Sequence, residues 1–258
     1  MYNDTKKSLG QHWLNDEASL DMICQAADVS MGDMVLEIGP GQGSLTDKLV
    51  AAGANVTAVE LDDDLILSLK RRFGGQPVTI VHGNILKFDL STLPSNYKVV
   101  ANIPYYLTSK LIRIMTEAAN PFHDAVLLVQ KEVAERVAAK AGKMSALSVA
   151  TQFYCDVGLG PVIAADKFTP PPKIDSQLLL LNFSGPKFAC DTKHFFQLVH
   201  AGFGERRKKL SNSLSGGLHI PKDQAEALLQ AAGLSTDVRA QELTLAEWGR
   251  LYNTWRGN

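Results

Sequence analysis

Asn102-Ile103-Pro104-Tyr105 brings an amide side chain, a proline carbonyl and an aromatic ring together within four residues. An exocyclic adenine amine is a poor nucleophile because its lone pair is delocalised into the ring. If the Asn102 oxygen and the Pro104 carbonyl each accept one amine N–H, the nitrogen is favoured to become pyramidal and its lone pair is aimed outward at an electrophile. Tyr105 offers a face on which a base drawn out of its stack can rest. Taken alone, the four residues also suit a strand-ending turn with a core tyrosine.

Glu37-Ile38-Gly39-Pro40-Gly41-Gln42-Gly43 is the second constellation. Glycines permit a sharp turn and let a ligand lie against bare backbone. The spacing is G-x-G-x-G, and Ser44 stands where a dinucleotide fingerprint wants its last Gly or Ala. Glu37, two places before the first glycine, suits a positively charged sulfonium cofactor better than a pyrophosphate. A structural tight turn is the alternative. Glu60 follows at the distance where a carboxylate accepts from ribose hydroxyls, whereas Asp62, Asp63 and Asp64 read as solvated loop residues. In Gly83-Asn84-Ile85, an amide could meet an adenine edge and Ile85 its face; singly, Asn84 reads as a turn residue.

These groups need a scaffold that brings them to one edge. Short β-branched runs at 34–38, 55–60, 78–81, 98–101 and 125–129 alternate with helical patterns at 45–52, 63–73 and 109–118. Such a series predicts an α/β fold: a mostly parallel, doubly wound sheet with right-handed crossovers. Two further strands are expected at 153–163 and 176–183, around Phe168-Thr169-Pro170-Pro171-Pro172, where three prolines forbid helix. Beyond Ser184-Gly185-Pro186 only helical patterns remain, at 194–201, 208–214, 221–232 and 245–255, with Pro221 placed to open its helix and Gly233 to end its own. The expected domains are therefore 1–184 and a smaller all-helical 185–258.

Composition narrows the class. The 258 residues are 45% hydrophobic and 21% charged, which suits a globular chain with a sizeable core. No apolar run approaches the roughly 20 residues of a membrane span, and no signal-peptide core follows Lys6 and Lys7, so a cytoplasmic location is expected. Three cysteines without a C-x-x-C pattern point to neither disulfide nor zinc, and no metal is expected. Net charge is −1, yet residues from 184 onward hold 10 Lys/Arg against 7 Asp/Glu, while the rest hold 16 against 20. Arg206, Arg207, Lys208 and Lys209, read as one helical turn that cannot pair all its charges internally, are candidate RNA phosphate contacts; a solvated basic face is the alternative.

The sequence resembles the ribosomal RNA adenine dimethyltransferase family over nearly its whole length. Within the family it is most similar to the bacterial small-subunit members. The resemblance is carried by Leu9-Gly10-Gln11-His12-Trp13-Leu14, the glycine loop, Val59-Glu60-Leu61-Asp62, Asn102-Ile103-Pro104-Tyr105, Gln130-Lys131-Glu132-Val133 and Phe168-Thr169-Pro170-Pro171-Pro172-Lys173-Ile174-Asp175-Ser176. It implies a Rossmann-like class I methyltransferase using S-adenosyl-L-methionine, which dimethylates two adjacent adenosines in the 3′-terminal hairpin of 16S rRNA. The implied partner is the immature small ribosomal subunit, bound by a monomer. The implied cofactor contacts are His12, Leu14, Gly39, Gly41, Glu60, Leu61, Asn84, Ile85 and Asn102; Phe168 is implied to close the target-base pocket opposite Tyr105, although by itself it reads equally as a hydrophobic plug.

The chain departs from the family pattern where His12 replaces Asn, where Asn84 replaces Asp, and in a short basic extension before the first motif. Both replacements keep hydrogen-bonding capacity. A large-subunit methyltransferase, an assembly factor acting by binding, and a DNA adenine methyltransferase sharing the N-x-P-Y logic are the alternative functions.

Overall fold

The computed structural model describes residues 11–205 and 207–257. In chain order, β1 (Trp13–Leu14) and α1 (Glu17–Ala26) precede β2 (Met34–Ile38), α2 (Ser44–Ala51), β3 (Asn55–Glu60), α3 (Asp63–Arg72) and β4 (Val78–His82). Next come β5 (Lys98–Asn102), α4 (Thr108–Thr116), β6 (Asp124–Gln130), α5 (Lys131–Val137) and α6 (Ala146–Tyr154). Then follow β7 (Cys155–Ile163), β8 (Phe168–Thr169), β9 (Ser176–Phe183) and the helices α7 (Thr192–Phe203), α8 (Leu210–Leu218), α9 (Lys222–Ala231) and α10 (Leu245–Gly257). One compact unit extends to Ala134 and resumes at Asp156–Phe183; the other joins Glu135–Cys155 to the residues from Ser184 on.

In the first unit, the described strands form a seven-stranded sheet in the order β4-β3-β2-β5-β6-β9-β7. β2 pairs in parallel with β3 on one side and β5 on the other, β3 pairs in parallel with β4, and β5 with β6. Only then does β9 run antiparallel to β6. Burial on both faces explains why β6 carries a continuous apolar run, Ala125 to Val129, rather than an alternating one. Because the chain steps from β2 outward to β3 and later returns to β2's other flank as β5, the carboxyl ends of these strands open a crevice at a topological switch point.

Local chemistry starts the helices that flank this crevice. Asp16 caps α1 by accepting from the Ser19 amide at 3.0 Å. Asp62, expected to be solvated, is buried instead: it caps α3 through the Asp64 amide and accepts from Gln11 Nε2 at 2.9 Å. β1 and β8, too short to be read from sequence, form a two-stranded antiparallel pair with Trp13 opposite Thr169 and Leu14 opposite Phe168.

The second unit takes in residues 135–155, which a boundary at 184 assigns to the sheet domain. Residues 153 and 154, expected as strand, belong to α6. A capping box between Ser145 and Ser148 starts that helix, and Phe153 is drawn into an aromatic group with Phe188, Phe195 and Phe196 at ring-centre distances of 5.0, 4.9 and 5.6 Å. This packing outweighs the strand preference of an aromatic residue. Pro221 stands just outside α9 as its cap, and Gly233 ends the same helix with φ +71°.

Close approach around Trp248 makes one glycine of this unit indispensable. A Cβ on Gly202 would stand 2.5 Å from Trp248 Cη2 and 3.0 Å from Leu210 Cδ1, and Trp248 is fully buried. Gly202→Ala should therefore destabilise the helical unit by about 1–3 kcal/mol through overpacking. Amide hydrogen exchange should report this as lost protection in α7 and α10; unchanged protection would mean that the indole moves aside freely.

Candidate functional site

Four parallel strands deliver their terminal residues to one cleft of about 800 Å³, open to solvent. Its lining includes Gly39 and Gly41 after β2, Glu60 and Leu61 after β3, Asn84 and Ile85 after β4, and Asn102, Pro104 and Tyr105 after β5. Trp13 reaches it from β1, and His12 from the position just before that strand. A neighbouring cavity shares Trp13, Gly39, Gly41 and Asn102, and adds Leu14 and Glu37. All the sequence-predicted cofactor contacts thus converge on these two adjoining spaces.

The glycine loop is needed for two separate reasons. Gly39 adopts φ +69°, and a Cβ there would meet nothing within 4 Å, so bare backbone faces open space. Gly41 adopts φ +58° with the Trp13 indole 3.7 Å from its Cβ position. The Gly41 amide donates to Glu60 Oε2 at 3.1 Å, while the Leu61 and Asp62 amides donate to Oε1, each at 2.8 Å. Burial pushes the Glu60 carboxyl above its ordinary value against the downward pull of those amides. With about four lone-pair sites on a carboxylate, three are already engaged. Glu60 therefore both sets the loop and keeps limited acceptor capacity for a ligand hydroxyl.

Glu37 departs from its expected role. It is 1% exposed and accepts from Thr46 Oγ1 at 2.6 Å, and desolvation pushes its pKa up to about 8. At neutral pH this side chain is mostly uncharged and offers no fixed negative charge to a sulfonium. It instead ties the end of β2 to the first turn of α2.

At the reactive end, Asn102 Nδ2 donates to the His12 carbonyl at 3.2 Å. That bond engages one of the two Nδ2 hydrogens and turns Nδ2 toward His12, and Oδ1 has no partner among the described residues. The Pro104 carbonyl accepts from the Leu107 amide at 2.9 Å and retains a second lone pair. Tyr105 hydrogen-bonds Ser176 Oγ at 2.9 Å, and one face of its ring stacks on His12 with centres 5.8 Å apart and planes at 22°. His12 in turn contacts the Pro170 carbonyl through Nδ1 at 2.7 Å, so the residue replacing Asn braces the tyrosine against the proline turn.

Two expected placements are corrected. Phe168 does not line the cleft: it is 3% exposed and belongs to the core with Leu14, Ile163 and Leu178, because pairing of β8 with β1 turns it inward. In the basic run, residues 207–209 form a turn leading into α8 rather than a helical turn. Leu210 donates its amide to Val238, which holds Lys209 extended as the residue capping α8. Lys208 pairs with Glu205, and Lys209 with Asp237 at 2.6 Å, while exposed Arg207 has no ion pair among the described residues. Arg206 lies outside the described residues.

Asn84 Oδ1 accepts from the Leu86 amide at 2.9 Å, so it is a turn-forming residue that also lines the cleft. Sequence reasoning overlooked Gln11, Trp13 and Tyr106. Trp13 is notable because its buried indole N–H has no partner among the described residues. Its position beside Gln11 and His12, within a motif already singled out, was the available signal.

A switch-point cleft bounded by a glycine loop and a carboxylate at the end of the second parallel strand defines a class I methyltransferase. The sequence pattern described as ribosomal RNA adenine dimethylase matches residues 2–256, and the chain belongs to that family. A ribosomal RNA small subunit methyltransferase A of Dehalococcoides mccartyi (strain CBDB1) is 39% identical over 259 residues, covering 98% of this chain and 89% of that protein. The protein of the same name in Thermosynechococcus vestitus is 41% identical, covering 94% of each chain. A dimethyladenosine transferase from Plasmodium falciparum has a similar structure, with TM-score 0.80, 28% identity and coverage of 93% of this chain and 96% of that one. The 23S rRNA methyltransferase ErmE gives TM-score 0.74, 26% identity and coverage of 94% and 98%.

The cofactor is S-adenosylmethionine, and the cleft fits it: bare Gly39 backbone faces open space, the Trp13 indole N–H is orphaned, and Val59, Leu61 and Ile85 give apolar walls beside Glu60. No helix among the described residues is long and apolar enough to cross a membrane.

Two measurements test these assignments. Between a carboxyl's ordinary pKa near 4.5 and about 8, folded protein with Glu37 protonated holds one proton more than unfolded protein, so stability falls as pH rises through that window. Denaturant unfolding should show Glu37→Gln gaining on wild type by up to ~4 kcal/mol between pH 5 and 8.5; a constant difference would mean that Glu37 is ionised in the fold. Separately, Glu60→Gln should weaken S-adenosylmethionine binding about 10- to 100-fold by calorimetry, because the amide has only one oxygen to share between backbone and ribose.

Proposed function

We propose that this enzyme transfers four methyl groups in all to the N6 atoms of two adjacent adenosines in the 3′-terminal hairpin of small-subunit ribosomal RNA. It acts in the cytoplasm on the immature small subunit, as a monomer whose site residues all come from one chain. The observation carrying the chemistry is the fixed orientation of the Asn102 amide: its nitrogen is bound to His12, which leaves Oδ1 to accept an amine N–H. The relatives named for the small subunit, at 39 and 41% identity, support this target over the large-subunit alternative, represented by ErmE at 26%.

When bound, S-adenosylmethionine supplies an electrophilic methyl group. Asn102 Oδ1 and the free lone pair of the Pro104 carbonyl hold the two amine hydrogens, which draws the nitrogen toward a pyramidal shape and orients its lone pair. Tyr105, fixed at its hydroxyl by Ser176 and on one face by His12, presents its remaining face to the adenine. No strong base is required, since the amine proton becomes acidic once the methyl is attached. Gly39, Gly41, Glu60, Leu61, Asn84 and Ile85 bind the cofactor beside this amine pocket, supported by Leu14 on β1 and by His12 just before it. Arg206 and Arg207 meet RNA phosphate, while Lys208 and Lys209 are already partly neutralised by their partners.

Asn102→Ala should leave RNA affinity nearly unchanged and lower single-turnover methylation of immature small subunits by at least ~100-fold. Wild-type rates in this variant would refute the mechanism. Mass spectrometry of small-subunit RNA from cells with and without the gene tests the target: dimethyladenosine present in both would refute it. An inactive variant that still restored subunit maturation would favour the assembly-factor reading.

A further inference from the structure

Beside the braced tyrosine stands one that is not braced. Tyr106 follows Tyr105 in the same short 3-10 turn and lines the cleft, yet it is 61% exposed, one of few large hydrophobic side chains so open. Tyr105 has its hydroxyl tied to Ser176 and one face covered by His12; Tyr106 has neither constraint among the described residues. Exposing an aromatic ring at the rim of a cleft forgoes the burial that normally holds such a residue, while offering a flat surface to a nucleobase. Four residues on, Lys110 in α4 is exposed and makes no ion pair among the described residues, although Arg113 on the same helix is paired with Glu117.

We propose that Tyr106 is the platform on which the base neighbouring the target adenosine stacks, with Lys110 meeting the phosphate that joins the two nucleotides. This rests on the functional reading above, in which target adenine enters beside Asn102 and its neighbour is an adenosine too. A single strand turning one base inward must leave the next one near the rim, where an aromatic face gives sequence-tolerant affinity and a cation adds a phosphate contact. Tyr106 thereby positions the RNA without touching the reacting atoms. It also gives the second adenosine a holding place while the first is inside.

The test uses full-length protein and immature small subunits, with methylation read separately at each adenosine. Tyr106→Ala should raise KM for the subunit about 10-fold, leave kcat at saturating subunit and S-adenosylmethionine affinity within twofold of wild type, and be rescued by Tyr106→Phe. Lys110→Gln should raise KM and reduce the slope of log KM against log salt by about one. In subunits reconstituted with an abasic nucleotide beside the target, the Tyr106→Ala penalty should vanish. An unchanged KM, a penalty that persists on the abasic RNA, or a defect that Phe does not rescue would each overturn the proposal. Failure of the wild-type enzyme to methylate these subunits at all would instead bring down the functional reading, and this inference with it.

Discussion

Parallel pairing of β5 with β2 is the constraint on which the site depends. Val35 is aligned with Lys98 and Glu37 with Val100, so the residues leaving the two strands, Gly39 and Asn102, emerge side by side. β3 does the same on the opposite flank of β2, with Ile38 aligned with Val59 and Glu60 one residue further on. A slip of one residue in either pairing would exchange the faces of every side chain on the slipped strand. The glycine loop, Glu60 and Asn102 would then cease to share a cleft. The near-complete burial of β2 and β5 guards against such a slip, since both faces are packed.

Two carboxylates on adjacent strands show how position decides role. Glu37 and Glu60 both stand near the ends of their strands, and both are nearly buried. Three backbone amides converge on Glu60 at the mouth of the cleft and oppose the upward push of burial on its carboxyl. Glu37 is met by a single hydroxyl, from Thr46, and burial pushes its carboxyl further, up to about 8. The first shapes the cofactor loop from outside, the second fastens it from below.

The strand pair β1–β8 links the two family motifs that lie furthest apart in sequence. It places His12 against Tyr105 and the Pro170 carbonyl, and the His12 carbonyl against Asn102. Asn102 and Tyr105 are thus held by segments about 90 residues before and some 65 residues after them. Such second supports are what keep a catalytic amide in a single orientation.

Much of this was legible beforehand because it rests on local chemistry. The strands at 34–38, 55–60 and 176–183 were readable to the residue, since short runs dominated by β-branched and aliphatic residues between turn residues have few other solutions. The convergence of Gly39, Glu60, Asn84 and Asn102 followed from parallel strand order alone. What could not be read were outcomes set by distant partners. Phe168 turns into the core because two residues of β1 pair with β8; Asp62 is buried because Gln11 and the α3 amides meet it; residues 135–155 join the helical unit because Phe153 finds Phe188, Phe195 and Phe196. Glu37 loses its charge only because the folded sheet removes water from around it. Periodicity and motif spacing determine which elements form and which ends they share. Burial and long-range pairing, which exist only once the chain has closed on itself, decide what each side chain there is free to do.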